Sequence, residues 1–435
     1  MFGSIWTLGI KVLSAGLIYV MFVLTARAMP TSEFGLFSIG FNLASLLAII
    51  ASCGVHVGIN RWWPEYMASG RPEMALLSLR WGLKITTMAS LGLAALMVVG
   101  TLVAALLFGR EVAYLVAAAL LIMPLALGDF LANALRSRGS IWMAQLPKDV
   151  IWRVGCCLLA LAAAYFSLRI SAWMAIMWYG ILLVILEIPQ SFSALRSAGS
   201  SPGPKTLLPK AVLRIEKQRW LRTVWPLWVS AVLAAMAQNL DVLIVGAFVS
   251  AETSGLYFAA VRTVGLIGLM HVASTLVCAP IISRCVHSDQ VEELQVTLRL
   301  VATIVLLVTG AVFAFIIIAG PFLLSMFGAG FQNANVILRI LLIGFTVNAL
   351  CGPVGYVLML SGHEKTYLKI LAVTNGLTLA GQLFLVPATG AVGAAILSSA
   401  GLIVSGIWAR REAINKVGVD PTALSVLLRN GKRLP

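Results

Sequence analysis

The stretch Glu33-Phe34-Gly35-Leu36-Phe37 directly follows a long apolar run, and a similar stretch, Thr253-Ser254-Gly255-Leu256-Tyr257, follows another such run in the second part of the chain. Other landmarks repeat at comparable offsets, with Ser137-Arg138-Gly139 answered by Leu360-Ser361-Gly362. A repeat this long is not a solenoid, and it predicts two structurally equivalent halves. In a membrane protein, two such halves are typical of transporters.

The composition places most of the chain in lipid. Of its 435 residues, 60% are hydrophobic and only 11% are charged, and the mean hydropathy is +0.98. A soluble domain could not cover so much apolar surface. Crossing the hydrocarbon core takes about 20 apolar residues per helix. The sequence predicts about twelve such spans, at 5–27, 35–59, 83–108, 112–134, 149–167, 172–194, 224–249, 256–283, 298–320, 333–361, 368–387 and 390–409.

The distribution of basic residues predicts the orientation. Most of the 31 Lys and Arg residues lie in the connections that follow every second span and in the tail, whereas the opposite connections hold only Arg27, Arg110 and Arg169. This asymmetry places both termini in the cytoplasm. It also accounts for nearly all of the net charge of +15, so nucleic acid is not an expected partner.

The expected fold is therefore an all-α polytopic membrane protein of two pseudo-symmetric six-helix lobes, because six spans return the chain to its starting side. The predicted divisions are an N-terminal lobe, 1–194, a linker, 195–223, a C-terminal lobe, 224–410, and a cytoplasmic tail, 411–435. The linker opens with a flexible Ser-, Gly- and Pro-rich stretch at 197–204. Its basic continuation, 210–222, is either an amphipathic helix on the anionic leaflet or a solvated connection.

No part of the sequence predicts catalysis. The connections are too short for a soluble catalytic domain, and the chain has no Walker A sequence, metal-ligand cluster or nucleophile elbow. The sequence therefore predicts a protein that is not an enzyme, with no catalytic residues, metal site or cofactor.

Three ionisable residues interrupt spans of the second half. Such groups are costly in a bilayer and are usually retained for function. Asp241 and Arg262 lie at similar predicted depth, so a salt bridge between adjacent helices is expected, either locking the helices or lining a wet cleft. Gln238 and Asn239 could extend the polar face beside Asp241. Arg339 lies toward the outer side.

In the first half, three ionisable residues within spans stand out, namely Lys11, Asp129 and Glu187. Lys11 is a candidate cation facing a ligand. Asp129 and Glu187 lie near the cytoplasmic ends of their spans, so snorkelling to the interface explains them as well as ion coupling or gating does.

Four segments, in this order, resemble the polysaccharide flippases of the MOP exporter superfamily, which includes the Wzx-type O-unit translocases. They are ARAMPTSEFGLFSIG (26–40), LDVLIVGAFVSAETSGLYFAAVR (240–262), FGAGFQNANVILRILLIG (327–344) and VPATGAVGAAI (386–396). The chain departs from the family pattern at one position. Family members often carry a basic residue directly after the Asp of span seven, whereas here Val242 follows Asp241.

The resemblance implies a MATE-like fold that moves undecaprenyl-diphosphate-linked oligosaccharide across the bacterial inner membrane by alternating access, for O-antigen, capsule or exopolysaccharide synthesis. Lys11, Arg262 and Arg339 would then bind the diphosphate. Asp241, Asp129 and Glu187 would serve coupling or gating. The implied partners are the lipid-linked substrate, membrane lipids, and the polymerase and glycosyltransferases of the pathway.

The alternative is a cation-coupled drug or metabolite antiporter of the related MATE type, which shares the twelve spans and the intramembrane carboxylates. The flippase-like segments and the cationic candidate residues favour the first interpretation.

Overall fold

The computed structural model describes residues 2–108, 112–196, 210–287 and 291–422, which are almost entirely helical and contain no strand. The predicted flexible stretch at 197–204, the outer Arg110 and the end of the tail, 423–435, lie outside the described residues. The chain divides into two compact units. The N-terminal unit is Leu24–Asn239, and the C-terminal unit combines Met1–Val23 with Leu240–Pro435.

The helices of the first half are α1 to α8: Phe2–Arg27, Thr31–Ala51, Val55–Ala68, Pro72–Phe108, Ala113–Ser137, Ile141–Leu146, Trp152–Tyr165 and Ala172–Arg196. A π-helical turn, Pro147–Ile151, joins α6 to α7. Within the N-terminal unit, α5 packs against α2, α4 and α8, and α3 covers α4 and α5. Helix α5 therefore forms the centre of this unit.

The helices of the second half are α9 to α14: Lys210–Phe248, Ala251–His287, Val291–Ser325, Asn335–Leu350, Val354–Leu360 and Glu364–Val417. In the C-terminal unit, α10 packs against α11 and α12, while α14 packs against α12 and α13. Gly390 has φ 64° and ψ −154°, which breaks α14 near its middle. Glycine adopts such a conformation readily because it has no Cβ, and the break falls where the sequence separates the last two predicted spans.

The internal repeat of the sequence corresponds to a repeated joint in the backbone. Helix α1 ends at Arg27 and α2 begins at Thr31, and in the same way α9 ends at Phe248 and α10 begins at Ala251. The two repeated stretches therefore form the first turns of α2 and α10. Gly139 and Gly362, the equivalent glycines of the other repeated landmark, have φ values of 82° and 78°.

The linker segment 210–222, predicted to be either an amphipathic helix or a solvated connection, forms the opening turns of a long helix, and so do two other polar segments that precede apolar runs. Residues 72–79 belong to α4, 291–298 to α11 and 210–222 to α9. Apolar periodicity ends at the membrane boundary, but the helical backbone continues until a residue breaks it, and no such break occurs in these segments. Among the described residues, nine helices are long and apolar enough to cross a membrane.

Candidate functional site

A carboxylate network lies inside the C-terminal unit, and we name it the Asp241 network after its acceptor. Asp241 lies on α9 and accepts hydrogen bonds from Tyr257 Oη at 3.1 Å, Gln382 Nε2 at 2.9 Å and Ser398 Oγ at 2.6 Å. Tyr257 and Gln382 are almost completely buried. The carboxylate is therefore held by three donors that carry no charge.

The break at Gly390 explains how α14 supplies two members of the network. Gln382 precedes the break and Ser398 follows it, and Gln382 Nε2 also lies 2.8 Å from Ser398 Oγ. An uninterrupted helix would separate these two residues by about 24 Å along its axis, at 1.5 Å per residue. The reversal at Gly390 brings both side chains to the same carboxylate on α9.

Neutral donors stabilise the charged form of Asp241 without neutralising it. A carboxylate in a poorly hydrated site remains costly unless a cation or a proton compensates its charge. Hydroxyl and amide oxygens of the neighbouring side chains are also ligands that hard monovalent and divalent cations accept. The arrangement can therefore bind a proton or a small cation.

Arg262 does not form the expected salt bridge with Asp241. Its guanidinium carbon lies 4.6 Å from the ring centroid of Phe258 and 5.0 Å from that of Phe22. These two buried rings pack edge to face, with centroids 4.8 Å apart. The pairing of Asp241 with Arg262 was expected from their similar depth alone. In the structure, three donors from α10 and α14 surround Asp241. The aromatic pair provides another favourable site for the Arg262 cation.

The two polar neighbours of Asp241 in sequence do not join the network. Asn239 is buried, and its side-chain amide donates to the Ala235 carbonyl of its own helix at 2.8 Å. Gln238 is exposed. Asn239, two positions before Asp241, lies on a different face of the helix, whereas Gln238, three positions before it, lies on a neighbouring part of the same face with its side chain exposed.

The other two cationic candidates, Lys11 and Arg339, lie on different helices from Arg262. Lys11 is partly exposed on α1, and Arg339 is exposed near the start of α12. Because Met1–Val23 groups with Leu240–Pro435, Lys11, Arg262 and Arg339 all belong to the C-terminal unit.

The N-terminal unit brings Asp129 and Glu187 together beside a cation that the expected site did not include. Lys148 Nζ forms an ion pair with Asp129 Oδ1 and lies 3.5 Å from the Leu125 carbonyl. Glu187 on α8 is only 6% exposed. We name Lys148, Asp129 and Glu187 the Lys148 cluster. Snorkelling does not describe Glu187, since its side chain is buried.

Sequence reasoning missed Tyr257, Gln382, Ser398 and Lys148 as members of these sites. The sequence signal for these sites was an ionisable group inside a span or a polar residue close to one along the chain. Gln382, a neutral residue that interrupts a distant apolar run, carries neither signal. Lys148 lies at a predicted span boundary, where a basic residue is expected for topological reasons alone.

A family model described as polysaccharide biosynthesis protein matches residues 2–286. None of the curated proteins matches the chain. Solved structures of similar fold include an inward-facing multidrug resistance MATE family transporter of the MOP superfamily, with 14% identity, coverage of 93% of this chain and 95% of that one, and a TM-score of 0.73. A MATE protein in complex with MaL6 has 15% identity, coverage of 93% and 94%, and a TM-score of 0.65. At these identities the likeness shows the fold alone.

Proposed function

The chain belongs to the polysaccharide biosynthesis protein family, and we propose that it is a flippase for undecaprenyl-diphosphate-linked oligosaccharide. It is a multi-pass inner-membrane protein with the MATE-like fold of MOP-superfamily transporters, a family and fold of transporters rather than enzymes. The proposed reaction moves the head group from the cytoplasmic to the outer face by alternating access, with both termini in the cytoplasm. Membrane lipids and the pathway's polymerase and glycosyltransferases are the proposed partners.

The placement of Arg262 is the observation that best supports this substrate. An arginine within an apolar bundle is costly unless it is compensated, and Phe22 and Phe258 compensate it partly through their ring faces. Guanidinium groups bind phosphate oxygens through paired N–H donors. We assign Arg262 the role of binding the diphosphate.

Lys11 and Arg339 are proposed as further phosphate partners. Both belong to the same unit as Arg262, and both have side chains that reach the surface of that unit. An exposed cation can meet an arriving anion before a guanidinium held between aromatic rings can, and the ammonium group of Lys11 is in addition flexible. Lys11 and Arg339 would thus attract the diphosphate, while Arg262 would hold it.

The energy for export has two proposed sources. An inside-negative potential favours outward movement of an anion by about 2.3 kcal/mol per charge per 100 mV. The Asp241 network could add the energy of a proton or sodium gradient, because the donors to its carboxylate among the described residues are neutral. Asp129 and Glu187 are proposed as a second coupling or gating group.

The test uses the full chain in lipid vesicles that contain a fluorescent undecaprenyl-diphosphate-linked oligosaccharide. An impermeant reductant added outside bleaches only the outer-leaflet probe. We expect vesicles with the protein to lose nearly all fluorescence, whereas protein-free vesicles retain the inner-leaflet fraction. Equal protected fractions in the two preparations would contradict the proposed function.

The second candidate function is cation-coupled antiport of drugs or metabolites. Its support is the Asp241 network together with the likeness in fold to multidrug MATE transporters. The same vesicles, given an organic cation such as ethidium and an imposed proton or sodium gradient, separate the two functions. Uptake of the organic cation without movement of the lipid-linked probe would favour the antiporter.

A further inference from the structure

Glu187 is a buried carboxyl group on α8 of the N-terminal unit. Its side chain is 94% shielded, and among the described residues its Oε1 atom has no partner at hydrogen-bonding geometry. This atom faces the backbone of Gly128 on α5, and a Cβ at that position would lie 2.6 Å from it. An ionised carboxylate in such a place would be strongly destabilising.

Lys148 approaches the same place from a different element. It lies in the π-helical turn Pro147–Ile151, and π-helical turns within helices are frequent at functional sites. Its Cδ atom lies 3.7 Å from the position that a Gly128 Cβ would take. The stem of Lys148 and the carboxyl of Glu187 therefore line one space beside Gly128.

The cluster holds one cation and two carboxyl groups. Lys148 is paired with Asp129, whose side chain is 43% exposed, while that of Lys148 is 19% exposed. His56 of α3 lies near enough to interact electrostatically with Asp129 and Lys148. Asp129 is partly exposed and is predicted to lie near the cytoplasmic end of its span. Its unpaired charge therefore costs far less than an unpaired charge on the buried Glu187 would.

Arg138, at the end of α5, donates to the Ala194 carbonyl of α8, and other charged groups around α8 are engaged away from Glu187. Glu33 of α2 accepts a hydrogen bond of 2.6 Å from the Ala172 amide, at the opposite end of α8. Arg153 of α7 pairs with Asp149 at 3.6 Å. In the described part of the chain, the charged groups that act on the Glu187 carboxyl are Lys148 and Asp129.

We propose that the Lys148 cluster is a proton-binding site in which Glu187 holds the proton and Lys148 exchanges between the two carboxyl groups. In one state Glu187 is a neutral acid and Lys148 pairs with Asp129. In the other, Glu187 has released one proton to water, Lys148 pairs with the Glu187 carboxylate, and Asp129 is left to solvent. The charge of the site changes by one, which equals the proton released. The exchange itself needs no substrate, and only its use in driving export rests on the proposed function.

Infrared spectroscopy of the full chain in lipid vesicles, without substrate, tests the site. A protonated carboxyl has a carbonyl stretch distinct from that of a carboxylate, so titration from about pH 5 to pH 9 follows it directly. We expect Glu187→Gln to lack one acid band that the wild type shows at neutral pH. Identical bands in both proteins would overturn the assignment of the proton to Glu187.

Asp129→Asn leaves Glu187 in place and tests the exchange. Without its partner, Lys148 should pair with Glu187, and the Glu187 acid band should disappear at neutral pH. Retention of the band in Asp129→Asn would overturn the exchange. Glu33→Gln is the matched control, since its carboxyl lies at the far end of α8, and it should leave the band unchanged.

The probe-bleaching assay decides separately whether lipid-linked oligosaccharide is moved. If Glu187→Gln loses the acid band but the wild-type protein fails to move the lipid probe, the proposed function is contradicted and the proton site stands. If Glu187→Gln keeps every acid band and the wild-type protein moves the lipid probe, only the proton site is contradicted.

Discussion

Ser398 lies 2.6 Å from Asp241, although 157 positions separate the two residues in the chain. The contact joins the second part of α14 to α9, and it exists because α14 reverses at Gly390. Hydrogen bonds to a charged acceptor contribute about 1.5–3 kcal/mol each. The three donors therefore have a large combined influence on what the Asp241 carboxylate can bind.

Asp241→Asn should abolish any dependence of transport on a proton or sodium gradient, because the amide carries no charge to compensate. Ser398→Ala should weaken that dependence by about tenfold, since it removes one of three donors. The measurement is the transport rate in vesicles against external pH and sodium concentration. Ser405→Ala is the matched control on the same helix, because its hydroxyl donates to the Leu402 carbonyl of that helix. Unchanged gradient dependence in Asp241→Asn would exclude this network from coupling.

Arg262→Ala should abolish movement of the lipid-linked probe while the protein level stays normal, because the diphosphate loses its fixed guanidinium partner. Arg262→Lys should retain part of the activity, since it keeps the charge but not the planar donor pair. Arg169→Ala, an exposed arginine of the N-terminal unit, serves as control for a general loss of positive charge. Wild-type flipping by Arg262→Ala would remove this residue from the substrate site.

Trp220→Ala should destabilise the N-terminal unit. Its indole is fully buried, packs against Trp62 and Trp81, and donates to Tyr66 Oη at 2.8 Å. Truncation of a buried tryptophan costs about 3–5 kcal/mol, so the melting temperature in detergent should fall by several degrees. Trp225→Ala on the same helix should have a much smaller effect, because Trp225 is 63% exposed.

Gly344→Ala should destabilise the C-terminal unit, because α12 and α14 touch there. A Cβ at Gly344 would lie 2.6 Å from the Ser399 Cα atom, and backbone cannot move aside cheaply. Forced insertion of this kind costs about 1–3 kcal/mol. Gly376→Ala is the control, since nothing lies within 4 Å of its added Cβ. That variant should be neutral or gain about 0.5–1 kcal/mol, as alanine favours the helix. Equal melting temperatures for both variants would show that α12 and α14 can separate.

Asp420 should contribute stability that depends on pH. Burial alone would raise its pKa, but hydrogen bonds from Arg410 and Thr422 and the charge of Arg410 hold the pKa below its ordinary value. The Asp420 side chain accepts from Arg410 Nη2 at 2.6 Å, and its backbone exchanges two hydrogen bonds with Gln295. Together these contacts attach the segment after α14 to α11.

Because the folded-state pKa of Asp420 is depressed, its contribution is fully present above the unfolded value of about 4 and is lost as the pH falls through the folded value. Asp420→Asn should therefore lower the melting temperature at neutral pH. The difference from the wild type should shrink as the pH falls below about 4. A difference that stays constant from neutral to acid pH would show that the charge of Asp420 contributes nothing. Glu412→Gln, at an i,i+4 pair with Lys416, is the control for loss of a carboxylate nearby.

Much of the fold follows from the order of residues. Apolar runs indicated where most of the long helices lie, and the repeated stretches at 33–37 and 253–257 indicated the equivalent joints, because helix length and local breaks depend on neighbouring residues. Helix ends were less predictable. Residues 72–79 and 210–222 continue into long helices, since polarity marks the edge of the bilayer and not the end of backbone hydrogen bonding.

The candidate sites depended on packing between distant segments. The sequence showed that Asp129, Glu187, Asp241 and Arg262 are out of place in apolar helices, because the cost of burying a charge is a property of the residue and its neighbours along the chain. It could not show that Asp241 meets Gln382 and Ser398, that Arg262 lies over two phenyl rings, or that Lys148 reaches Asp129. Those partners are chosen by the packing of helices far apart in the chain. The grouping of residues 1–23 with the second half, which places Lys11 in the same unit as Arg262, likewise arises from long-range contacts that no local pattern encodes.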